Sequence, residues 1–243
     1  MYCKLQENLE VRANIVDDSN NRDAWYDNYY SVVNVSASQG SFLNRLYHLL
    51  LEKNFTSNSE MNLLEVGANQ GEHLQYVVDD YSSYILSDIR EVKITSSNPK
   101  IKFQQANLES LPFDNATFDR VIATCVFHHV GSPEQGFEEV RRVLKDGGSF
   151  SLMLPNDPGL AYRAFRRLTS LRKSKKIGIY SVARLAHARE HRNHYLSLKT
   201  MLEWVFRGDQ ISYRYFPSGL RVYDINLLTV CTVTIIKPQE KFE

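Results

Sequence analysis

The segment Leu63-Leu64-Glu65-Val66-Gly67-Ala68-Asn69-Gln70-Gly71 is an apolar run that passes into a glycine-punctuated turn. Gly67 and Gly71 let the backbone approach a ligand closely, and a helix starting there presents unpaired N–H groups to it. Alone, a glycine pair after a strand is a weak signal, because such turns carry many ligands and some carry none. A second residue strengthens it. The apolar run Tyr84 to Ser87 ends in Asp88, a carboxylate where the ribose diol of a nucleotide lies in a βαβ unit. The plainer alternative is that Asp88 caps the next helix.

Two groups of histidines are the next residues able to do chemistry. His128 and His129 follow the apolar run Arg120 to Thr124, where either could take a proton or make a structural hydrogen bond. His187, His191 and His194 recur at i, i+4 and i+7, which puts them on one face if the segment is helical throughout. Such a face suits a general base or a divalent ion, and a solvated basic face is the bland reading. The nearby acid, Glu190, falls one step off that face, so no metal is expected and activity should survive a chelator.

Around these histidines the charge is uneven. Leu160 to Tyr195 holds Arg163, Arg166, Arg167, Arg172, Lys173, Lys175, Lys176, Arg184, Arg189 and Arg192 against the single acid Glu190. Arginine in this density suits phosphate or carboxylate recognition through paired hydrogen bonds. The interleaved Leu160, Tyr162, Phe165, Leu168 and Leu171 also allow a basic amphipathic cap, or a solvated helix whose apolar stripe packs on the body of the protein.

The elements that must position these residues can be read from periodicity. Short apolar runs at Asn62 to Val66, Tyr84 to Ser87, Ile101 to Gln104, Arg120 to Thr124 and Ser149 to Leu154 alternate with helical patterns, the mark of parallel strands joined by crossover helices. Phe137, Val140, Val143 and Leu144 predict a helix from Pro133 to Leu144, stopped by Asp146-Gly147-Gly148. Ile211 to Phe216 and Leu227 to Ile236 are separated only by a loop containing Pro217 and Gly219, so they should pair antiparallel. The expectation is an α/β fold of seven mostly parallel strands closed by a C-terminal hairpin. Phe42 to Leu51 reads as an apolar-faced helix, residues 1–40 as a loosely structured tyrosine-rich arm, and residues 41–243 as one domain with a helical basic insertion at about 158–195.

Composition bounds the rest. At 243 residues and a net charge of +1, the chain can bury a sizeable core and carries no global charge that selects a polyanion. Cys3, Cys125 and Cys231 are too few and too scattered for a disulfide framework, and no apolar stretch approaches a membrane span. With no basic-then-apolar leader at the N-terminus, a cytoplasmic location is expected.

Taken together, Leu63 to Leu154 resembles the class I S-adenosylmethionine-dependent methyltransferases. Glu65, Gly67, Asn69 and Gly71 stand where that family has an acid and three alternate glycines, with Asn69 in the middle glycine's place. Asn107-Leu108-Glu109-Ser110-Leu111-Pro112-Phe113 resembles the family's motif of two acids followed by Leu-Pro-Phe, and Phe118 to Val121, Phe127-His128-His129 and Glu138 to Gly148 resemble its fourth and fifth blocks. The resemblance implies a Rossmann-like fold and S-adenosylmethionine as cofactor. It implies a donor site of Glu65, Gly67, Ala68, Asn69, Gly71, Asp88, Asn107, Leu108 and Thr124, with Asp88 on the ribose and Asn107 on the adenine amino group. A nicotinamide dehydrogenase would want G-x-G-x-x-G and a continued parallel sheet, neither of which is read here.

For the acceptor the residues say less. His129, His191 and His194 are the candidates for a base that removes a hydroxyl proton. The Asn/Asp-Pro-Pro-aromatic motif of nucleobase amine methyltransferases is absent, since the positions read Thr124-Cys125-Val126-Phe127, and Cys125 lacks the preceding proline of a cytosine C5 nucleophile. Glu190-His191-Arg192-Asn193-His194-Tyr195 resembles methyltransferases of surface-polysaccharide biosynthesis. That implies a sugar, nucleotide-sugar or lipid-linked glycan acceptor, phosphorylated or lipid-linked. The basic insertion allows peripheral membrane contact, and no stable nucleic-acid complex is expected. An RNA-modifying enzyme and a catalytically inactive ligand-binding member are the alternatives.

Overall fold

The computed structural model describes residues 42–53, 55, 60–77, 80–92, 96–176, 178 and 180–236; the tyrosine-rich arm read at residues 1–40 lies outside them. The chain enters through helix α1 (Phe42–Glu52), then strands β1 (Asn62–Val66), β2 (Ser83–Asp88), β3 (Ile101–Gln105) and β4 (Phe118–Thr124). Helix α2 (Pro133–Val143) precedes β5 (Leu144–Pro155). Helices α3 (Leu160–Leu168), α4 (Ser170–Lys176), α5 (Tyr180–Glu190) and α6 (Tyr195–Val205) lead to β6 (Gln210–Phe216) and β7 (Leu228–Thr234). Among the described residues, no helix is long and apolar enough to cross a membrane.

All seven strands form one sheet in the order β3-β2-β1-β4-β5-β7-β6. The first five are parallel, and β7 pairs antiparallel with both β5 and β6, as Met153↔Val230 and Tyr213↔Cys231 show. Strand order reverses between β1 and β4, so the carboxyl ends of these two strands diverge into a crevice, the place where open α/β sheets bind ligands. Alternation along the strands divides the core in two. Leu64 and Val66 of β1 join Phe137, Val140, Leu198 and Leu202 on the face covered by α2 and α6. Leu63 points the other way, with Tyr84, Leu86 and Ile122, beneath Leu51 of α1.

Helix α2 forms where expected, with Pro133 in its first turn and Phe137, Val140 and Val143 buried. Phe137 stacks on Phe127 at 4.1 Å between ring centroids, tying the helix to the segment that follows β4. The glycine turn expected to stop the helix lies inside β5, which begins at Leu144. There the register against β4 shifts between Phe118 and Arg120, and Gly147 adopts φ 71° in the resulting bulge.

Candidate functional site

At the carboxyl end of β1, Gly67 takes φ 65°, Asn69 φ 47° and Gly71 φ 76°. Asparagine tolerates this left-handed region better than other side-chain-bearing residues, which is how Asn69 serves in a glycine's place. A Cβ on Gly67 would lie 2.3 Å from Val126 Cγ2, so the turn passes too close to the segment after β4 for any other residue. Asp88, at the end of β2 and 7% exposed, accepts hydrogen bonds from the Asn69 N–H at 2.9 Å and the Arg90 N–H at 3.0 Å. The Arg90 guanidinium also reaches the Asp88 carboxylate at 3.4 Å and donates to the Asn69 side-chain Oδ1 at 2.9 Å, which locks turn and carboxylate together. Oδ1 accepts both Arg90 bonds, whereas Oδ2 accepts only the Asn69 N–H and retains acceptor capacity.

The remaining donor-site candidates fall along the same edge with different fates. Asn107 and Leu108 follow β3, Asn107 exposed with its Oδ1 accepting from the Glu109 N–H, Leu108 packed into the core at 8% exposure. Ala68 is buried and its N–H is spent on the Ser87 carbonyl. Thr124 closes β4, half-buried. Glu65 points elsewhere: its carboxylate is 1% exposed and accepts the Tyr84 hydroxyl at 2.8 Å inside the protein. Burial pushes its carboxyl up to about 7. It sits one residue from Leu64, and strand alternation sends it to the α1 face rather than toward the turn.

The histidines gather at the ends of β4 and β5. His128 and His129 follow β4, and the segment after α5 brings His191 against them, with ring centroids 4.3 Å from His128 and 5.5 Å from His129. Asp157, just past β5, lies 3.1 Å from His191 Nδ1 and 2.9 Å from His187 Nε2. Burial disfavours the Asp157 charge, but these two hydrogen bonds outweigh it and hold the carboxyl far below its ordinary range. Burial takes the His191 imidazole down to about 4 although Asp157 pulls the other way. His128 is driven well below its usual value by burial and by the neighbouring rings. Both are neutral at pH 7.

The expected face of His187, His191 and His194 is not one helix. Helix α5 ends at Glu190, and the main-chain N–H groups of Arg192 and Asn193 bond the His128 carbonyl at 3.1 and 3.3 Å. The Asn193 amide donates to the Phe127 and Val130 carbonyls at 3.1 and 2.7 Å. These bonds to the β4 loop pull the chain out of helix. His187 and His191 converge on Asp157, while His194 is left exposed at the start of α6. Cys125 takes φ 54° beside the cluster, and burial raises its thiol to about 12, so it is no thiolate.

Sequence reasoning missed Arg90 and Asp157. Arg90 sits two residues past the strand-ending acid, a spacing that lets a side chain fold back on it. Asp157 follows β5 at the carboxyl edge, where any acid merits inspection.

Residues 64–152 match the family described as methyltransferase domain. With the glycine turn, Asp88 and this sheet order, that match decides the assignment. Residues 64–152 form a class I methyltransferase domain. The chain is 30% identical over 122 residues to the uncharacterized methyltransferase YcgJ of Bacillus subtilis, covering 46% of this chain and 48% of that one. To the malonyl-[acyl-carrier protein] O-methyltransferase of Geobacter sulfurreducens it is 32% identical over 87 residues, 36% of this chain and 30% of the relative. The chain thus spans about half the length, or less, of these curated relatives. The crystal structure of YcgJ superposes with a TM-score of 0.55 at 16% identity, over 80% of this chain and all of that one, which concerns the fold alone. The methyltransferase domain implies S-adenosylmethionine as its cofactor. The residues present fit it: a turn held in left-handed angles at the β1/β4 crevice, and beside it an oriented carboxylate suited to a ribose diol.

Proposed function

We propose that this protein transfers a methyl group from S-adenosylmethionine to a hydroxyl of a small acceptor, a sugar, nucleotide-sugar or lipid-linked glycan of surface-polysaccharide biosynthesis. The observation that carries it is the His187–Asp157–His191 constellation, one strand beyond the crevice that holds the glycine turn. Transfer is an in-line displacement: the acceptor oxygen forms a bond to the methyl carbon, the carbon–sulfur bond breaks with its electron pair returning to sulfur, and the hydroxyl proton must leave. A neutral imidazole oriented by a carboxylate accepts that proton, and this supports oxygen as the atom methylated. The Geobacter relative is named for O-methylation of an acyl carrier substrate, a precedent for the reaction type on this domain.

The acceptor class is supported by the surface next to the cluster. Arg163, Arg167 and Arg172 on α3 and α4 are exposed, as are Lys173, Lys175 and Lys176, and a phosphate or an anionic lipid surface complements them. A cytoplasmic protein acting on nucleotide-sugars or on the inner face of a membrane suits this distribution. The test is a transfer assay with labelled methyl donor on nucleotide-sugar and lipid-linked glycan fractions beside total RNA. Label in a glycan fraction is the expected result. Label in RNA, with binding that falls with salt at a log–log slope of about −0.7 per phosphate contact, overturns the glycan reading.

A further inference from the structure

We propose that His128, His129 and His191 form a three-nitrogen site for a divalent transition ion of the zinc or cobalt kind. Each ring offers one nitrogen, and the three nitrogens lie within 4.8 Å of one another. Ligands 2.0–2.1 Å from a tetrahedral zinc are about 3.3 Å apart, so modest ring rotations close the set. The expectation of no metal weighed only His187, His191 and His194. The fold replaces the outer two with a pair from the β4 loop.

Hydrogen bonding settles which nitrogens carry lone pairs. His129 Nδ1 lies 3.0 Å from the Glu190 backbone oxygen, and a carbonyl only accepts, so Nδ1 holds the proton and Nε2 the lone pair of the neutral ring. His191 Nδ1 faces the Asp157 carboxylate at 3.1 Å, which gives the same result. A ring nitrogen that donates to a carbonyl or carboxylate, leaving the opposite nitrogen for the ion, is the second layer that surrounds histidine-bound metals. His128 completes the set. It is 5% exposed, and its Nδ1 has no hydrogen-bond partner, one of two such buried side-chain atoms among the described residues. Burying a polar atom unpaired is costly, and a bound cation satisfies it.

The donor set also selects the ion. Three imidazoles suit zinc, cobalt, nickel or copper, whereas magnesium and calcium require oxygen ligands. Three protein ligands leave a tetrahedral ion one position open for water or for an acceptor oxygen. The ion site stands on its own geometry. Its role rests on the methyl-transfer reading: an acceptor hydroxyl bound at the open position would lose its proton more readily to the His187 imidazole that Asp157 orients, and the oxygen would attack the methyl carbon as the carbon–sulfur bond breaks.

The experiment uses untagged full-length protein, stripped with a chelator, dialysed and titrated with cobalt(II) while visible absorption is read. The expected result is one equivalent bound with the intense bands of a tetrahedral ion, displaced by zinc. His128→Ala and His191→Ala should each abolish the bands, Asp157→Asn should weaken binding about 10- to 100-fold, and His194→Ala should leave it unchanged. Failure of the wild-type protein to bind one equivalent overturns the site without reference to any variant, as does undiminished binding by the His128→Ala/His191→Ala double variant. S-adenosylhomocysteine binding is measured on the same samples. If it persists without cobalt uptake, the ion site fails and the methyl-transfer reading stands; cobalt uptake with no binding of the sulfur compound does the reverse.

Discussion

The molecule holds two histidine clusters, and they are built to opposite ends. On the α1 face, His48 Nδ1 meets His73 Nδ1 at 2.8 Å, His73 Nε2 meets Glu52 at 2.9 Å, and Arg120 grips both Glu52 oxygens at 2.8 Å. Arg120 Nε donates to Ser151 at 2.9 Å, and the guanidinium lies 3.8 Å over the Phe55 ring. A permanent cation thus saturates that network. At the carboxyl edge, His187 and His191 bond Asp157, His128 and His129 pack against His191, and one buried ring nitrogen is left unsatisfied. The same residue types make a structural clamp where arginine completes them and, on the proposed reading, a reactive site where the His128 Nδ1 stays unsatisfied.

Breaking the clamp should give the largest effect. Glu52→Ala leaves the fully buried Arg120 charge unpaired, and chemical denaturation should show a loss of about 3–5 kcal/mol. Acid should open the same network. Burial opposes the Glu52 charge, but bonds from His73 and Arg120 hold its carboxyl at about 2 against an ordinary 4.5. Its stabilisation is therefore present above pH 4.5 and lost as pH falls toward 2. His48, held by burial at about 4 rather than 6.5, weakens the fold over the window from 6.5 down to 4. Glu65 acts in the other direction, since a carboxyl raised to about 7 stabilises most below 4.5 and loses this as pH rises through 7. Between pH 7 and 4.5 the Glu65 gain opposes the His48 loss, so denaturation midpoints should fall on acidification below 4.5, where the Glu52 stabilisation is lost, and Glu65→Gln should stabilise the protein at pH 8. A midpoint indifferent to pH between 4.5 and 2 contradicts the clamp.

Asp157→Asn tests the open cluster. Turnover should drop about 100-fold or more, in the range for loss of an oriented base, while the loss of stability stays below that of Glu52→Ala and donor affinity stays near wild type. Loss of stability of the size expected for Glu52→Ala would make the cluster a second clamp. The smallest effect is expected at the rim. Reversing Arg163 and Arg167 to Glu should raise the apparent KM for a phosphorylated acceptor up to about tenfold and leave donor affinity intact. An unchanged KM would make α3 a solvated face.

The sheet was legible because each strand announces itself by a local pattern. Asn62–Val66 matches to the residue, and the antiparallel closure follows from a loop too short for a crossover. The donor turn was legible for the same reason, since strand, glycines and strand-ending acid are adjacent in sequence. Contacts between distant segments were not. Glu65 faces the core because of the register of β1, while the end of α5 at Glu190 depends on bonds to His128, Phe127 and Val130, more than sixty residues away. Asp157 gains its meaning only when the fold delivers His187 and His191 to it.

The central claim is that the β1/β4 crevice takes the methyl donor. Calorimetry of the wild-type protein and of Asp88→Ala with S-adenosylhomocysteine and with NAD measures this most directly. The account predicts that the sulfur compound binds, NAD does not, and Asp88→Ala weakens binding by about 1.5–3 kcal/mol through loss of charged hydrogen bonds to the ribose. Binding of NAD with none of the sulfur compound, or an affinity untouched by removing the Asp88 carboxylate, would contradict it.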